Sequence, residues 1–438
     1  MADACDSLRV RLRALEAELK DSQPVPGEQH RPKPPPNLNG LIRQIATTRD
    51  ELNACIESLM IRRWTVTGNT FLGAFAIDRA IKRFMFDHDI RALSVAIAKG
   101  GAVIGTRGYT WAMPDYPITQ PGTHFRVASV SKLFTCAAID QLVTTGALSF
   151  ETPAFPYLGV TNLPLIPVDR DINSITVKQL ATRKSGLKDD VEVEIRSIAK
   201  LFGTLSRPTR AQVLQYIFGT PLVARPGTSD NYSNPAFTVL TAIVEKASGL
   251  SFIDYLRRAL LTPLGIVDVH VGATAAILRR ADEVATYDAP GVSPSHLDMA
   301  EGATAPDAHG GKFALEEDPG DGGLIMSTAT IARFLATHAV WDIGPREVNG
   351  RVNGRYGRFA GTGALAIARP DGVDFAVAFN REIEYADYDA LGAQIHSILD
   401  DGLVGRRETV DTVLTGLARF VLRVLDTIRD VVARRLDR

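Results

Sequence analysis

Two short segments carry side chains whose types and spacing could do covalent chemistry. The first, HFRVASVSKLFTCAAIDQLV, holds Ser129-Val130-Ser131-Lys132 at the head of an apolar helical pattern of Val130, Leu133, Phe134, Ala137 and Ala138. A separation of three on a helix puts Ser129 and Lys132 on one face, one turn apart. A serine hydroxyl is a weak nucleophile until a neighbour takes its proton. A lysine desolvated by apolar walls has a lowered pKa and can take it, and the positive end of the helix dipole favours negative charge near Ser129. Ser197-Ile198-Ala199-Lys200 has the same letters, so the tetrad alone does not separate a nucleophile from an ordinary helix start. The second segment, PGTSDNYSNPAFTVLTAIVEKASG, sets Tyr232-Ser233-Asn234 in a loop just before a strong helical pattern. A loop tyrosine beside an amide can carry a proton and bond a substrate. An Asn-Pro turn with a packed tyrosine is the plain alternative.

These segments need a scaffold, and the flanking patterns describe one. AFAIDRAIKRFMFDHD reads as a helix with Ile77, Ile81, Phe84 and Met85 on one side, and LSVAIAKGGAVIGTRGYTWA as two strands around Lys99-Gly100-Gly101. ALAIARPDGVDFAVAFN is a second strand pair around Pro370-Asp371-Gly372, followed by a helix from about Tyr388 to Leu399. Helical patterns dominate residues 128–340. The expectation is an α/β fold of the α+β type: an antiparallel sheet closed by both ends of the domain, flanked by terminal helices, with a mostly helical lobe inserted.

Outside this domain, taken as residues 63–402, the chain carries helical extensions. In residues 1–62, Leu8, Leu12, Leu15 and Leu19 form one stripe, a Pro-rich stretch from Pro24 to Pro36 interrupts it, and Leu41, Ile42, Ile45, Leu52, Ile56 and Leu59 form a second. This is a helical hairpin or arm. Paired antiparallel about residue 30, it would set Cys5 opposite Cys55. Residues 403–438 read as an amphipathic helix, interrupted by Arg419, Arg423, Arg429 and Asp430. The terminal helices offer surfaces for a homo-oligomer.

Composition removes several classes of function. The 438 residues carry 49 Lys and Arg against 50 Asp and Glu, without the basic excess of a nucleic-acid reader. No run of about 18 apolar residues forms a membrane span. The start, MADACDSLRVRLRALEAELK, lacks the apolar core of a secretory signal, so a cytoplasmic location is the default expectation. The 3 cysteines do not make a disulfide framework, and the 8 histidines show no metal-ligand spacing; no metal or cofactor is expected. Gly361-Thr362-Gly363 mimics a dinucleotide fingerprint, but a strand follows it where a helix should. No Gly-x-Ser-x-Gly elbow occurs.

Ser-x-x-Lys followed by Tyr-Ser-Asn resembles the pattern of class C β-lactamases, D-alanyl-D-alanine peptidases and β-lactamase-like carboxylesterases. The resemblance spans roughly residues 70–402. It extends to Ile175-Thr176-Val177, Ser185-Gly186-Leu187, the run from YSNPAFTVLTAIVEKASG to TPLGI, and GGLIMSTATIARF. It implies a β-lactamase/transpeptidase-like fold and an acyl-enzyme on Ser129, with Lys132 and Tyr232 sharing proton transfer and Asn234 holding Lys132 and the substrate. The family's third motif, Lys-Thr-Gly or His-x-Gly, aligns with Arg355-Tyr356-Gly357, and the oxyanion would lie between the backbone N–H of Ser129 and one near Arg358. Arg355 could grip a carboxylate bidentately or be a solvated surface arginine. Arg183-Lys184-Ser185-Gly186 stands where His-Thr-Ser-Gly is usual. These departures, with the lack of a visible secretory signal, shift the expectation from β-lactam or peptidoglycan chemistry toward hydrolysis of small or medium acyl esters inside the cell by a carboxylesterase. A β-lactamase, D-amino-acid peptidase or acyltransferase is the alternative on the same scaffold, and a non-catalytic binding protein is the third reading.

Overall fold

The computed structural model describes residues 2–21, 38–60, 62–71, 73–162, 168–189, 195–340, 343–344, 346 and 352–401. The Pro-rich stretch and the 403–438 helix lie outside them.

A six-stranded antiparallel sheet is built from β1 (Arg63–Gly68), β2 (Ala92–Lys99), β3 (Ala102–Ala112), β4 (Asn353–Phe359), β5 (Thr362–Ala368) and β6 (Val373–Phe379). Its order is β1-β3-β2-β6-β5-β4. β2 pairs with β6 from Leu93↔Phe379 to Lys99↔Val373, so both ends of the domain meet in the sheet centre, as the two strand pairs predict. The first pair turns at Gly100 (φ 55°) and Gly101 (φ 81°), which meets the positive-φ demand of a two-residue hairpin. β2, β5 and β6 are buried along almost their whole length. That explains their continuous Ala, Val, Ile and Phe content: a strand covered on both faces has no reason to alternate. β1, RWTVTG, is half-exposed and was not legible as a strand.

Between β3 and β4 lies the mostly helical lobe. α4 (Ser131–Thr144) is buried on nearly every side. It packs on α5 (Asn234–Ser248), which in turn meets the short helices Ala154–Leu158, Val177–Ala181 and Arg210–Gly219. α5 starts where Ser233 accepts the Ala236 N–H and stops at Gly249 in a left-handed conformation. It buries Phe237, Val239, Leu240, Ile243 and Val244, each of which stabilises the fold by roughly 1.5–3 kcal/mol. A further helix, α6 (Thr328–Phe334), lies against β2 and β6.

At the N-terminus, α1 (Ala2–Asp21) packs on α2 (Leu38–Met60), with Arg49 donating to Glu16 at 2.7 Å. Leu8, Leu12, Leu15 and Leu19 are half-buried, and Leu41, Ile45 and Leu52 are buried. Ile42 is 48 % exposed and leaves the expected stripe, lying one position off the face that Leu41 and Ile45 share. Cys5 is disulfide-bonded and Cys136 is a buried free thiol; the Cys55 side chain lies outside the described residues. Residues 70–84 and 384–401 belong to a second compact unit. It contains most of α3 (Ala74–Asp87) and a helix at 385–401, with Ile77, Ile81, Leu391, Ile395 and Leu399 buried.

Candidate active site

Ser129 sits in a one-turn 3₁₀ segment, Ala128–Val130, that runs directly into α4. The turn is entered through Ala128 at φ 45°, a left-handed conformation that an L-residue adopts only under constraint. The constraint comes from the 319–326 segment. Val127 N donates to Leu324 O at 3.2 Å, Leu324 N to Ser131 Oγ at 3.2 Å, and Phe125–Arg126 pair with Ile325–Met326. Before these, residues 319–323 form a tight turn against α4 and α5, where Thr135 Oγ1 donates to Gly320 O at 2.7 Å.

This turn delivers Asp321 to Lys132. The Lys132 side chain is fully buried; its Nζ donates to Ser129 Oγ at 3.0 Å and to Asp321 O at 2.9 Å, and pairs with the Asp321 carboxylate. Burial is the largest influence on the lysine and would lower its pKa, yet the Asp321 charge, with Tyr232, outweighs it and the pKa is raised. The expectation of a lysine lowered by apolar walls is therefore corrected. Apolar walls are visible in sequence, whereas a counter-ion 189 residues away is not. Burial in turn pushes Asp321 up to about 6 against the pull of Lys132.

Tyr232 completes the cluster, with its Oη 2.8 Å from Ser129 Oγ. Its loop is braced by the Ser185-Gly186-Leu187 segment. Gly186 N donates to Asn231 Oδ1 at 3.2 Å, and Asn231 Nδ2 donates to Leu187 O at 2.8 Å. Gly186 is required: it has φ 75°, and a Cβ there would lie 2.0 Å from Ala224 O. Lys132 Nζ also lies 5.2 Å from the ring centres of Tyr232 and Phe237, where the ring faces stabilise a cation. Asn234 caps nothing on Lys132. Its N–H donates to Asp189 Oδ1 at 2.7 Å, and its Oδ1 is buried without a hydrogen-bond partner. Among the described residues no hydrogen bond joins Asn234 to Lys132, because Asp321 already occupies the ammonium.

β4 forms the sheet edge beside the nucleophile turn. A Cβ on Gly357 would stand 2.0 Å from Val127 O and 3.2 Å from the Ala128 Cβ, so this face of β4 presses on the turn itself. Side chains two apart share a face, which puts Arg355 under the turn; it is 2 % exposed and lines no part of the cavity at Ser129. Arg355 is therefore not a solvated surface arginine. Arg358 is the cation at the cavity, and its Nε donates to Glu382 Oε1 at 2.9 Å. Gly357→Ala should destabilise the fold by about 1–3 kcal/mol, since backbone rather than a flexible side chain blocks the methyl. Denaturant unfolding checks this, with an unchanged midpoint as the contrary result.

A family model for Beta-lactamase matches residues 77–390, well over half of the chain. The chain belongs to the Beta-lactamase family. Among curated relatives, Protein flp of Staphylococcus aureus (strain COL) is 26% identical over 219 residues, covering 50% of this chain and 42% of that protein. A D-aminopeptidase of Cereibacter sphaeroides is 28% identical over 213 residues, covering 45% and 37%. The chain thus spans less than half the length of these relatives. Of solved structures, EstCE1, a hydrolase with promiscuous acyltransferase activity, superposes with a TM-score of 0.54 and 16% identity over 74% of this chain and 98% of that one.

Within this Beta-lactamase-family fold the cavity at Ser129 has a volume of about 60 Å³, lined by Asn234, Phe313, Leu315, Asp318, Asp321, Arg358 and Phe359 among others. Three larger cavities of about 490, 470 and 340 Å³, each lined by Arg279, contain none of the candidate side chains; the candidate cluster lies at the smaller one. Asp321 is the group that sequence reading missed. Its only signal is an acidic residue inside the otherwise small Gly320–Gly323 run before LIMSTATIARF. Ser197 and Lys200 lie exposed on the helix Ile195–Leu201, the ordinary case for such a tetrad. No group of His, Cys, Asp and Glu among the described residues could hold a metal, and no single described helix is long and apolar enough to cross a membrane.

Proposed function

We propose that the chain is a serine carboxylesterase working through an acyl-Ser129 intermediate on small or medium acyl esters. One observation carries the reading: a single hydroxyl, Ser129 Oγ, is met by a phenol at 2.8 Å and a buried amine at 3.0 Å. Ser129 Oγ attacks the ester carbonyl while its proton passes to the Lys132–Asp321 pair, Lys132 taking it as it hands one of its own to the Asp321 carboxylate, with the Tyr232 phenol hydrogen-bonded to Oγ. The oxyanion is held by the backbone N–H groups of Ser129 and of Arg358 on β4. Collapse expels the alcohol, which receives the proton. Water then attacks the acyl carbonyl, gives a proton to the same pair, and leaves as the acid once Ser129 is released and reprotonated. The small cavity walled by Phe313, Leu315 and Phe359 favours short apolar acyl groups.

An amidase of the D-amino-acid type is the second reading, supported by the D-aminopeptidase relative and by Asn234 Oδ1, a buried acceptor suited to a substrate N–H. The test is acid quench of a reaction with a chromogenic butyrate ester, followed by peptide mass analysis. A butyryl group on the peptide containing Ser129, with faster turnover of the ester than of a D-alanine amide or a chromogenic cephalosporin, is expected. An acyl group elsewhere, or none on any of the three, overturns the enzymatic reading in favour of a binding protein.

A further inference from the structure

We propose that the trough around Arg279 is a second ligand site, which takes a small organic carboxylate or phosphate ester with a short apolar body. The cavities of about 490, 470 and 340 Å³ all share Arg279 and Ala285, so they run together. Each has the size of a small-molecule site. No residue that lines the Ser129 cavity lines this trough, and the inference does not depend on the reaction at Ser129.

The segment that carries Arg279 inverts the usual partition of side chains. In the one-turn 3₁₀ helix Ala276–Leu278, Ile277 is 92% exposed and Leu278 67% exposed, whereas Arg279 is half-buried. Apolar side chains ordinarily take the covered positions and arginine the solvated ones. Arg279 is fixed by Nη1, which donates to Val284 O at 2.9 Å, and its Nε is buried without a hydrogen-bond partner. Among the described residues no carboxylate pairs with it. A cation held in a cavity by a backbone carbonyl, with donors to spare, is the arrangement that an oxyanion completes. Arg91 lines the same two larger cavities. It commits Nε and Nη2 to Asp288 at 2.7 and 2.5 Å, which leaves Nη1 to join Arg279 on one anion. Asp288 is saturated in turn, accepting Thr286 Oγ1 at 3.0 Å and Asn380 Nδ2 at 3.1 Å as well. Asp282 and Glu283 line the 340 Å³ end and direct an anion away from it. The 490 Å³ end offers Ala112, Met113 and Pro117 to a short hydrocarbon body; Asp115, its one acidic lining residue, is exposed to solvent, where its charge is screened.

Calorimetric titration with butyrate, butyl phosphate and butanol reads the site at equilibrium, without turnover. At least one anion should bind, with butanol about tenfold weaker or more, and the tighter anion names the head group. Arg279→Gln should weaken that anion by about tenfold or more. Ala285→Leu, which fills the trough and keeps Arg279, should weaken it similarly, and thermal melting shows that each variant is folded. Arg358→Gln, which removes the cation at the Ser129 cavity, should leave the affinity within about twofold. Binding that survives both Arg279→Gln and Ala285→Leu, or that is lost in Arg358→Gln, puts the anion elsewhere and overturns the inference. So does butanol binding as tightly as the anions, or no binding by either anion. None of these results bears on acylation of Ser129, which is read separately from the peptide mass.

Discussion

Lys132→Ala should lower kcat/KM for a neutral ester by about 10²- to 10⁴-fold, the range expected when a positioned acid–base group is removed. The variant loses the 3.0 Å contact to Ser129 Oγ and the anchor to Asp321 O. It also strands the Asp321 carboxylate in a site where both partners are buried. Breaking a buried ion pair from one side costs about 3–5 kcal/mol when the remaining group stays charged. Asp321 can escape part of this by binding a proton, because burial already holds its pKa up to about 6. The double variant Lys132→Ala/Asp321→Ala should therefore recover stability relative to the single one and remain inactive. Thermal melting and ester kinetics on the same preparations separate the two effects. A double variant that regained activity along with stability would show that Lys132 acts only as a structural ion.

Asp321→Asn should remove the acid limb of the pH–rate profile and lower kcat/KM by about 10²-fold. Lys132 and Asp321 titrate as a pair. Above about 6 the pair holds one proton; below it the carboxylate takes a second, and Lys132 loses its acceptor. Activity should therefore fall as pH drops through about 6. The sign for stability is opposite to that of an ordinary salt-bridged aspartate. A folded-state pKa raised above the usual carboxylate value means that the folded chain binds more protons between about 4 and 6, so ionising Asp321 costs stability as pH rises through that window. In the asparagine variant this slope should disappear. An unaltered acid limb in Asp321→Asn would assign the limb to another group and reduce Asp321 to a structural contact of Lys132.

The legible parts of the molecule share one property. Strand pairs around Lys99-Gly100-Gly101 and Pro370-Asp371-Gly372, the amphipathic stripe of α1, and the one-turn offset of Ser129 and Lys132 are all set by neighbours within about ten residues. Periodicity and turn chemistry report such relations directly. β1 escaped because its half-exposed mix of Trp, Thr and Val has no strong pattern of its own and is a strand only through pairing with β3. Ile42 was assigned to the wrong face because a helix of 3.6 residues per turn leaves adjacent apolar positions about a quarter-turn apart.

The amino-acid order by itself determined the fold class, the four strands of the two central pairs, the helical character of the lobe, and the identity of Ser129, Lys132 and Tyr232 as candidates for one site. Only the folded chain decided that the lysine is held charged, that its partner is Asp321 rather than Asn234, and that Arg358 rather than Arg355 faces the cavity. The reason is electrostatic and geometric. A pKa depends on which charges converge through space, and a strand's facing depends on the turn against which it packs; both are settled by residues from 24 to 230 positions apart that no local pattern connects.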